Sequence, residues 1–442
     1  MNRWIYLSVL FFSCAFILIG GLFFASTLPQ LLATMAIGAV GIGGNYYLDC
    51  YFAERGQRPE TLESEPEVPH RPLAVPEPAE PLASPQRPQA DIFFGFPVDS
   101  VNEPLILPQE IREQHLYLIG KSDAGKTALV KNLILRDIEN GRGVAFIDPH
   151  GDAASDLLAN IPTGRMQDVI SFDPTWPLTP VCNVFRLPYP APGLSEDIIA
   201  ALQMFFGDAW EPWLEPLLRF SVLTLLTHPA PHALKDLHTL LRHPGWREQI
   251  ISNHPDESVR KFWREEFRTF EGAADSILDK LATLLLPGSP LVRHFSQREN
   301  DLDFSRIINE QKILICNLSQ GTLGDAPAYL LGGLLATGIQ QAALARADMP
   351  ARERKDFFLY ADEFQHYTVA SFSSVLAEAR TYRLFLILAN RHLGQLPSAL
   401  EHAVCGNVAT LVSLPMPRLL SSSLPDLHTS MRAATEISDF SL

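Results

Sequence analysis

The residues best suited to chemistry lie in one short run, Gly120-Lys121-Ser122-Asp123-Ala124-Gly125-Lys126-Thr127. Glycine, four residues, glycine, lysine and a hydroxyl residue is the spacing of a phosphate-binding loop. Gly120 and Gly125 let the backbone curl so that consecutive N–H groups point at phosphate oxygens, and the following helix adds the partial positive charge of its N-terminus. Lys126 is placed to reach the β- and γ-phosphates, and the Thr127 hydroxyl to ligate Mg2+. A second constellation, Asp362-Glu363, closes the apolar run Phe357-Phe358-Leu359-Tyr360-Ala361. On a strand expected beside the one that feeds the loop, Asp362 would hold magnesium through its water shell and Glu363 would polarise the attacking water. Together the two runs read as binding and hydrolysis of ATP with Mg2+.

Three further sets are candidates. The apolar run Leu384 to Ala389 leads into Asn390-Arg391-His392-Leu393-Gly394-Gln395. A polar side chain at such a strand tip can report whether the γ-phosphate is present, and Gln395 and Asn390 both qualify. Arg380 and Arg383 are candidates to reach a neighbouring subunit's site, surface ion pairing being equally compatible with either. Asp148, after Gly143-Val144-Ala145-Phe146-Ile147, suits either orientation of water and metal or a plain turn and helix cap. His228, His232, His238 and His243 have no accompanying cysteine and are read as solvated or capping groups.

The elements that must position these groups follow from periodicity. Leu116-Tyr117-Leu118-Ile119 is a strand entering the loop, and Leu129, Val130, Leu133, Ile134 and Ile138 then recur at helical spacing. Short strands are expected between residues 92 and 120, at 143–147, at 169–172, centrally at 312–318, at 356–361 and at 384–389. From Ser195 to about Arg293 helical patterns take over, with helices over 197–206, 214–226 and 273–286, and an apolar helix covers 330–344.

The chain has 442 residues and a formal net charge of −15, which argues against coating nucleic acid with the whole surface but not against a locally positive channel lining. Its five cysteines, Cys14, Cys50, Cys182, Cys316 and Cys405, have no paired spacing, so neither a disulfide framework nor a zinc site is expected. Residues 4–27 are uncharged and dense in Leu, Ile and Phe, and a second uncharged, glycine-rich run covers 31–48. Both read as membrane spans joined in a hairpin. Arg3 precedes the first and Arg55 and Arg58 follow the second, while the turn between has no basic residue, so both ends are expected in the cytoplasm. Nine prolines between Pro59 and Pro88 make the next stretch a semi-extended spacer.

With these motifs in order, the chain resembles the TraG/TraD-like coupling ATPases of conjugation and type IV secretion, within the HerA/FtsK-like class of P-loop translocases. The resemblance runs from about Leu116 to about Leu411 and rests on five blocks: HLYLIGKSDAGKT (115–127), GVAFIDPHGD (143–152), KILICNLSQGTLG (312–324), FFLYADEFQHY (357–367) and FSSVLAEARTYRLFLILANRHLGQLP (372–397). It implies an α/β fold: a RecA-like P-loop NTPase core with a mostly parallel sheet, an inserted all-helical subdomain and an N-terminal transmembrane hairpin. The corresponding boundaries are 1–53 for the hairpin, 54–90 for the linker, 91–190 and 305–413 for the two parts of the ATPase domain, 191–304 for the insert and 414–442 for an atypical, disordered tail. It also implies a homo-hexameric ring on the cytoplasmic side of a bacterial inner membrane. Such a ring would pass single-stranded DNA or relaxase–DNA complexes to type IV secretion channel proteins. Lys126 and Thr127 then take the P-loop roles, Asp362 and Glu363 the acidic ones, and Gln395 that of terminal sensor.

Departures from the family pattern are local. Asp123 and Ala124 stand where Gly or Thr is frequent, and Arg391-His392 where a Gln-Tyr pair is common, so that a sensing or subunit-contact role there is expected to be changed or lost. After Ser413 the chain reads LPMPRLLSSSLPDLHTSMRAATEISDFSL, with Pro415, Pro417 and Pro425 close together and little period. That tail is expected to be irregular and passive, as in a truncated or frameshifted gene. Three alternatives stay open beside the conjugative motor: a HerA/FtsK-like DNA motor of another process, an ATP-binding receptor for protein substrates, and an inactive remnant.

Overall fold

Strand runs in which every residue is apolar demand cover on both faces of a sheet. The computed structural model describes residues 92–95, 105–121, 124–367, 372–414 and 434–436, and places them in such a sheet with helices on either side. The expected membrane hairpin, the proline-rich spacer, Ser122 and Asp123 lie outside the described residues.

Two short strands, β1 (Ile92–Gly95) and β2 (Leu105–Leu107), pair antiparallel ahead of the main sheet. Helix α1 (Gln109–Arg112) follows, then β3 (Leu116–Ile119), α2 (Lys126–Glu139), β4 (Gly143–Asp148), α3 (Asp152–Asn160) and β5 (Val169–Phe172). A helical block comes next: α4 (Ala191–Phe206), α5 (Leu214–Thr227), α6 (Lys235–Arg242), α7 (Pro244–Ser252), α8 (Glu257–Lys261), α9 (Glu271–Leu284) and α10 (Leu291–Ser296). The sheet resumes with α11 (Phe304–Asn309), β6 (Ile313–Asn317), α12 (Gln320–Leu323), α13 (Asp325–Leu344), β7 (Phe357–Asp362), α14 (Phe372–Glu378), β8 (Leu384–Asn390), α15 (Ser398–Asn407), β9 (Thr410–Ser413) and β10 (Ala434–Glu436).

The eight-stranded order is β10-β9-β3-β8-β7-β4-β6-β5, with every pairing parallel. Two sequence expectations change here. Strand β7 is not beside β3, because β8 pairs with both and separates them. Nor is β6 central; only β5 lies outside it. Sequence periodicity carries no information about which strands pair, so neither point was legible in it.

Alternation along each strand divides the core into two layers. Leu116, Leu118, Val144, Phe146, Phe358 and Tyr360 join the apolar stripe of α2 and α3. Their neighbours Tyr117, Ile119, Ala145, Ile147, Phe357 and Leu359 face the other way, into a cluster shared with α13, α4 and the helical block. Helix α13 and its short extension, Asp325–Asp348, are long and apolar enough to cross a membrane, with a mean hydropathy of 1.2. That window is 83% buried within the fold, which is the condition of a core helix. Three glycines thin its surface: an added Cβ would strike the Tyr367 ring at Gly332 and the Phe304 ring at Gly338, and would stand in tight contact with Ala201 of α4 at Gly333. Beneath the sheet, the buried Arg112 of α1 ties α2 to β7, donating to both oxygens of Asp137 at 2.6 Å and to the Tyr360 hydroxyl at 3.0 Å.

Of residues 414–442, read as an atypical tail, Leu414 and 434–436 are described and the others lie outside the described residues; one of the four histidines departs from expectation. Leu414 is buried in the sheet's core layer, and β10 extends the sheet by pairing with β9, Ala434 beside Leu411. The folded part therefore reaches beyond Ser413. His228 caps the end of α5 and His243 stands between α6 and α7. His232, read as solvated or capping, is instead buried, 2.9 Å from a nitrogen of His228 and 3.2 Å from Asp236.

Candidate nucleotide-binding site

Because the strands are parallel, the loops after β3, β4, β7 and β8 leave the same edge of the sheet, where such folds bind their ligands. The loop after β3 is braced by both neighbours of that strand. The Gly120 N–H donates to the Asn390 carbonyl of β8 at 3.3 Å, and the Leu414 N–H, just past β9, donates to the Ile119 carbonyl at 2.8 Å. A Cβ at Gly120 would stand 2.8 Å from the Leu414 Cβ, so close packing admits only glycine there. Gly125 has φ +88°, a left-handed conformation that turns the chain into α2.

Lys126 is buried, and its Nζ donates to the Gly120 carbonyl at 2.8 Å and to the Lys121 carbonyl at 3.3 Å. The ammonium is thus held over the loop, next to the N-terminus of α2. On the far side of β8 from the loop, Asp362 closes β7. Its Oδ2 accepts from the Thr127 hydroxyl at 3.4 Å and its Oδ1 from the Glu363 N–H at 3.0 Å. Burial pushes the Asp362 carboxyl up to about 6, with the charges of Glu363 and Asp148 adding to the effect and Lys126 opposing it.

Glu363 has φ +48°, a conformation unusual for a residue with a side chain and a form of strain that concentrates at functional sites. Both of its oxygens are engaged. Oε1 accepts from Arg391 Nε at 3.0 Å and Oε2 from Gln365 Nε2 at 2.8 Å. Burial alone would raise this carboxyl, but the Gln365 and Arg391 hydrogen bonds and the Arg391 and Lys126 charges outweigh it. The group sits below the ordinary glutamate value.

The remaining sequence candidates divide. Asp148 accepts from the His150 N–H at 2.9 Å and the Ala154 N–H at 2.8 Å, so its carboxylate caps the start of α3. Asn390 is fully buried, accepting from the Tyr117 hydroxyl at 2.6 Å and donating to the His392 carbonyl. Gln395 turns inward on its own loop, its Oε1 accepting from the backbone N–H groups of Arg391 at 2.9 Å and His392 at 3.2 Å. Arg383 lies at the other end of β8, ion-paired to Glu113 at 3.0 Å and to Asp356. Seven strand residues put it roughly 20 Å from the loop within this chain. Arg391 and Leu414 were not singled out from sequence as site residues. The first becomes visible only when strand order brings residues 363 and 391 together, and the second follows a four-residue strand ending in Ser413 that gave no reason to continue.

The residues present suit a magnesium nucleotide. Magnesium takes hard oxygen ligands, and Thr127 and Asp362 present a hydroxyl and a carboxylate to each other beside an acidic neighbour. A cation there would offset the unfavourable ionisation of Asp362. The loop, Lys126 and the N-terminus of α2 supply the donors that phosphate requires.

Solved structures share this fold. TrwBdeltaN70, a bacterial conjugative coupling protein, matches in its trigonal form with sulphate at a TM-score of 0.55 and 15% identity, over 76% of this chain and 78% of that one. The plasmid coupling protein TrwB with the ATP analogue ADPNP gives 0.54 at 15% identity, over 76% and 78% of the two chains. TrwB with ADP and Mg2+ gives 0.52 at 15% identity, over 72% and 73%. The likeness is one of fold. No family model matches the sequence, and no match to it was found among curated proteins.

Proposed function

We propose that this chain is a membrane-tethered ATPase of a type IV secretion-like system, coupling ATP hydrolysis to transfer of single-stranded DNA or relaxase–DNA complexes toward the channel. The observation that carries the reading is the meeting of Thr127 with Asp362 across β8, with the Lys126 ammonium held over the same loop. Those are the parts that phosphoryl transfer needs, because its catalysis is mostly positioning and charge stabilisation. Lys126 would bind the β- and γ-phosphates, Thr127 and Asp362 would hold Mg2+, and Glu363 would orient the attacking water. Magnesium supplies neutralisation of the charge that develops between the β- and γ-phosphates. The coupling-protein fold, the two apolar N-terminal runs and the proline-rich spacer support attachment to the inner membrane, with the ATPase part cytoplasmic and assembled as a homo-hexamer.

The test is ATPase activity of the full chain in detergent, with and without single-stranded DNA, alongside its oligomeric mass. A DNA-driven motor should hydrolyse faster with DNA and run as a hexamer. Activity indifferent to DNA would favour the protein-substrate receptor. Lys126→Ala should reduce hydrolysis to background, and activity that survives this change would place the site elsewhere.

A further inference from the structure

We propose that Arg391 is the residue by which this site distinguishes a nucleoside triphosphate from a diphosphate, exchanging its ion pair with Glu363 for the terminal phosphate. The inference rests on the nucleotide site proposed above and gives a role there to a residue at which this chain departs from the family pattern.

The geometry starts from β8. Its last residue, Asn390, pairs with Ile119 on one side, and Ala389 pairs with Asp362 on the other. The Asn390 carbonyl also accepts from Gly120, the first residue of the loop. Arg391 therefore leaves the sheet in the gap between the phosphate loop and the acidic pair, and its guanidinium stands on Glu363 Oε1. Its backbone is fixed there by Gln395, whose side-chain oxygen accepts from the N–H of both Arg391 and His392. Gln395 is thereby occupied in pinning the turn and acts as a positioning residue, which leaves the long cationic side chain as the group that can move.

The pair is one that an anion can exchange. The Glu363 side chain is 7% exposed, whereas that of Arg391 is 48% exposed, and solvent on one partner weakens an ion pair. A terminal phosphate offers more charge than a carboxylate and accepts two guanidinium hydrogen bonds at once. A diphosphate on the same loop has no group at that position. Transfer of Arg391 to the triphosphate releases Glu363 Oε1 as it binds, so recognition of the substrate and freeing of the base become one event.

The experiment is binding of fluorescent ADP and of a fluorescent, non-hydrolysable ATP analogue to the full chain in detergent with Mg2+. It compares wild type, Arg391→Ala, Arg391→Lys, Glu363→Gln and the Arg391→Ala/Glu363→Gln double variant. Arg391→Ala should weaken triphosphate binding roughly 10- to 100-fold, the size of a charge-assisted hydrogen bond, and leave ADP within about twofold. Arg391→Lys should recover part of the loss. Glu363→Gln should tighten triphosphate binding by releasing Arg391, and that gain should shrink when Arg391 is already alanine, as a coupled pair requires. An unchanged triphosphate-to-diphosphate ratio in Arg391→Ala, or an equal Glu363→Gln gain in both backgrounds, overturns the inference and leaves the nucleotide site standing. Failure of the wild type to bind either nucleotide overturns both.

Discussion

Asp362 concentrates the electrostatics of the site on one group. Its folded-state value of about 6 stands above the ordinary 3.8, so the neutral form is favoured by folding. The sign follows: the contribution to stability is complete below pH 3.8 and is lost as pH rises through about 6. Asp362→Asn should therefore raise the melting temperature at pH 7.5 in EDTA, by a stability change on the order of 2 kcal/mol, and give no gain near pH 4. The same variant should lose Mg2+-dependent hydrolysis. Equal melting of the two proteins at pH 7.5 would contradict the buried charge. At this scale the sequence was informative where chemistry is local. Lys126 and Thr127 adjoin one another and Glu363 follows Asp362 at the end of an apolar strand, so loop spacing and strand-end position were enough to propose them. The inward turn of the Gln395 amide was not legible, because proximity to a strand tip says nothing about which way a side chain points, and the ion pair between Glu363 and Arg391 depends on strand register.

Among the elements, α13 shows how packing overrides local preference. In a helix interior alanine is favoured over glycine by about 1 kcal/mol. At Gly332, however, a Cβ would run into the ring of Tyr367, which is itself almost fully buried just after the acidic pair. Overpacking of this kind costs about 1–3 kcal/mol, so the balance favours glycine. Gly332→Ala should lower thermal stability and, through Tyr367, disturb hydrolysis; a stabilised variant would show that the ring yields freely. The strands and helices themselves were largely legible from apolar runs and 3.6-residue spacing. Their order was not, since nothing in the runs Phe357–Asp362 and Leu384–Asn390 states that the later one inserts beside β3.

For the molecule as a whole, the boundary at the C-terminal side matters most. Leu414 packs on Gly120 and bonds to Ile119, and β10 covers the edge of β9. A chain ending at Ser413 should be less stable than one ending at Leu414 by on the order of 2–3 kcal/mol, the cost of losing a buried leucine. Both should self-associate more than the full chain, because β9 becomes a bare edge. Thermal melting and light scattering in detergent measure the two effects, and identical melting of the truncated chains would remove Leu414 from the loop's support. The parallel order of the sheet also has a temporal side. Both strands that flank β3 come from residues 384–413, more than 260 residues after the strand they hold. During synthesis β3 leaves the ribosome well before either strand that pairs with it, so the loop after β3 has no sheet neighbours until residues 384–413 have emerged. The loop proposed to bind phosphate thus takes its supported form only after that long stretch has been made, and the waiting strand must be kept from aggregating in the interval without help from bound nucleotide.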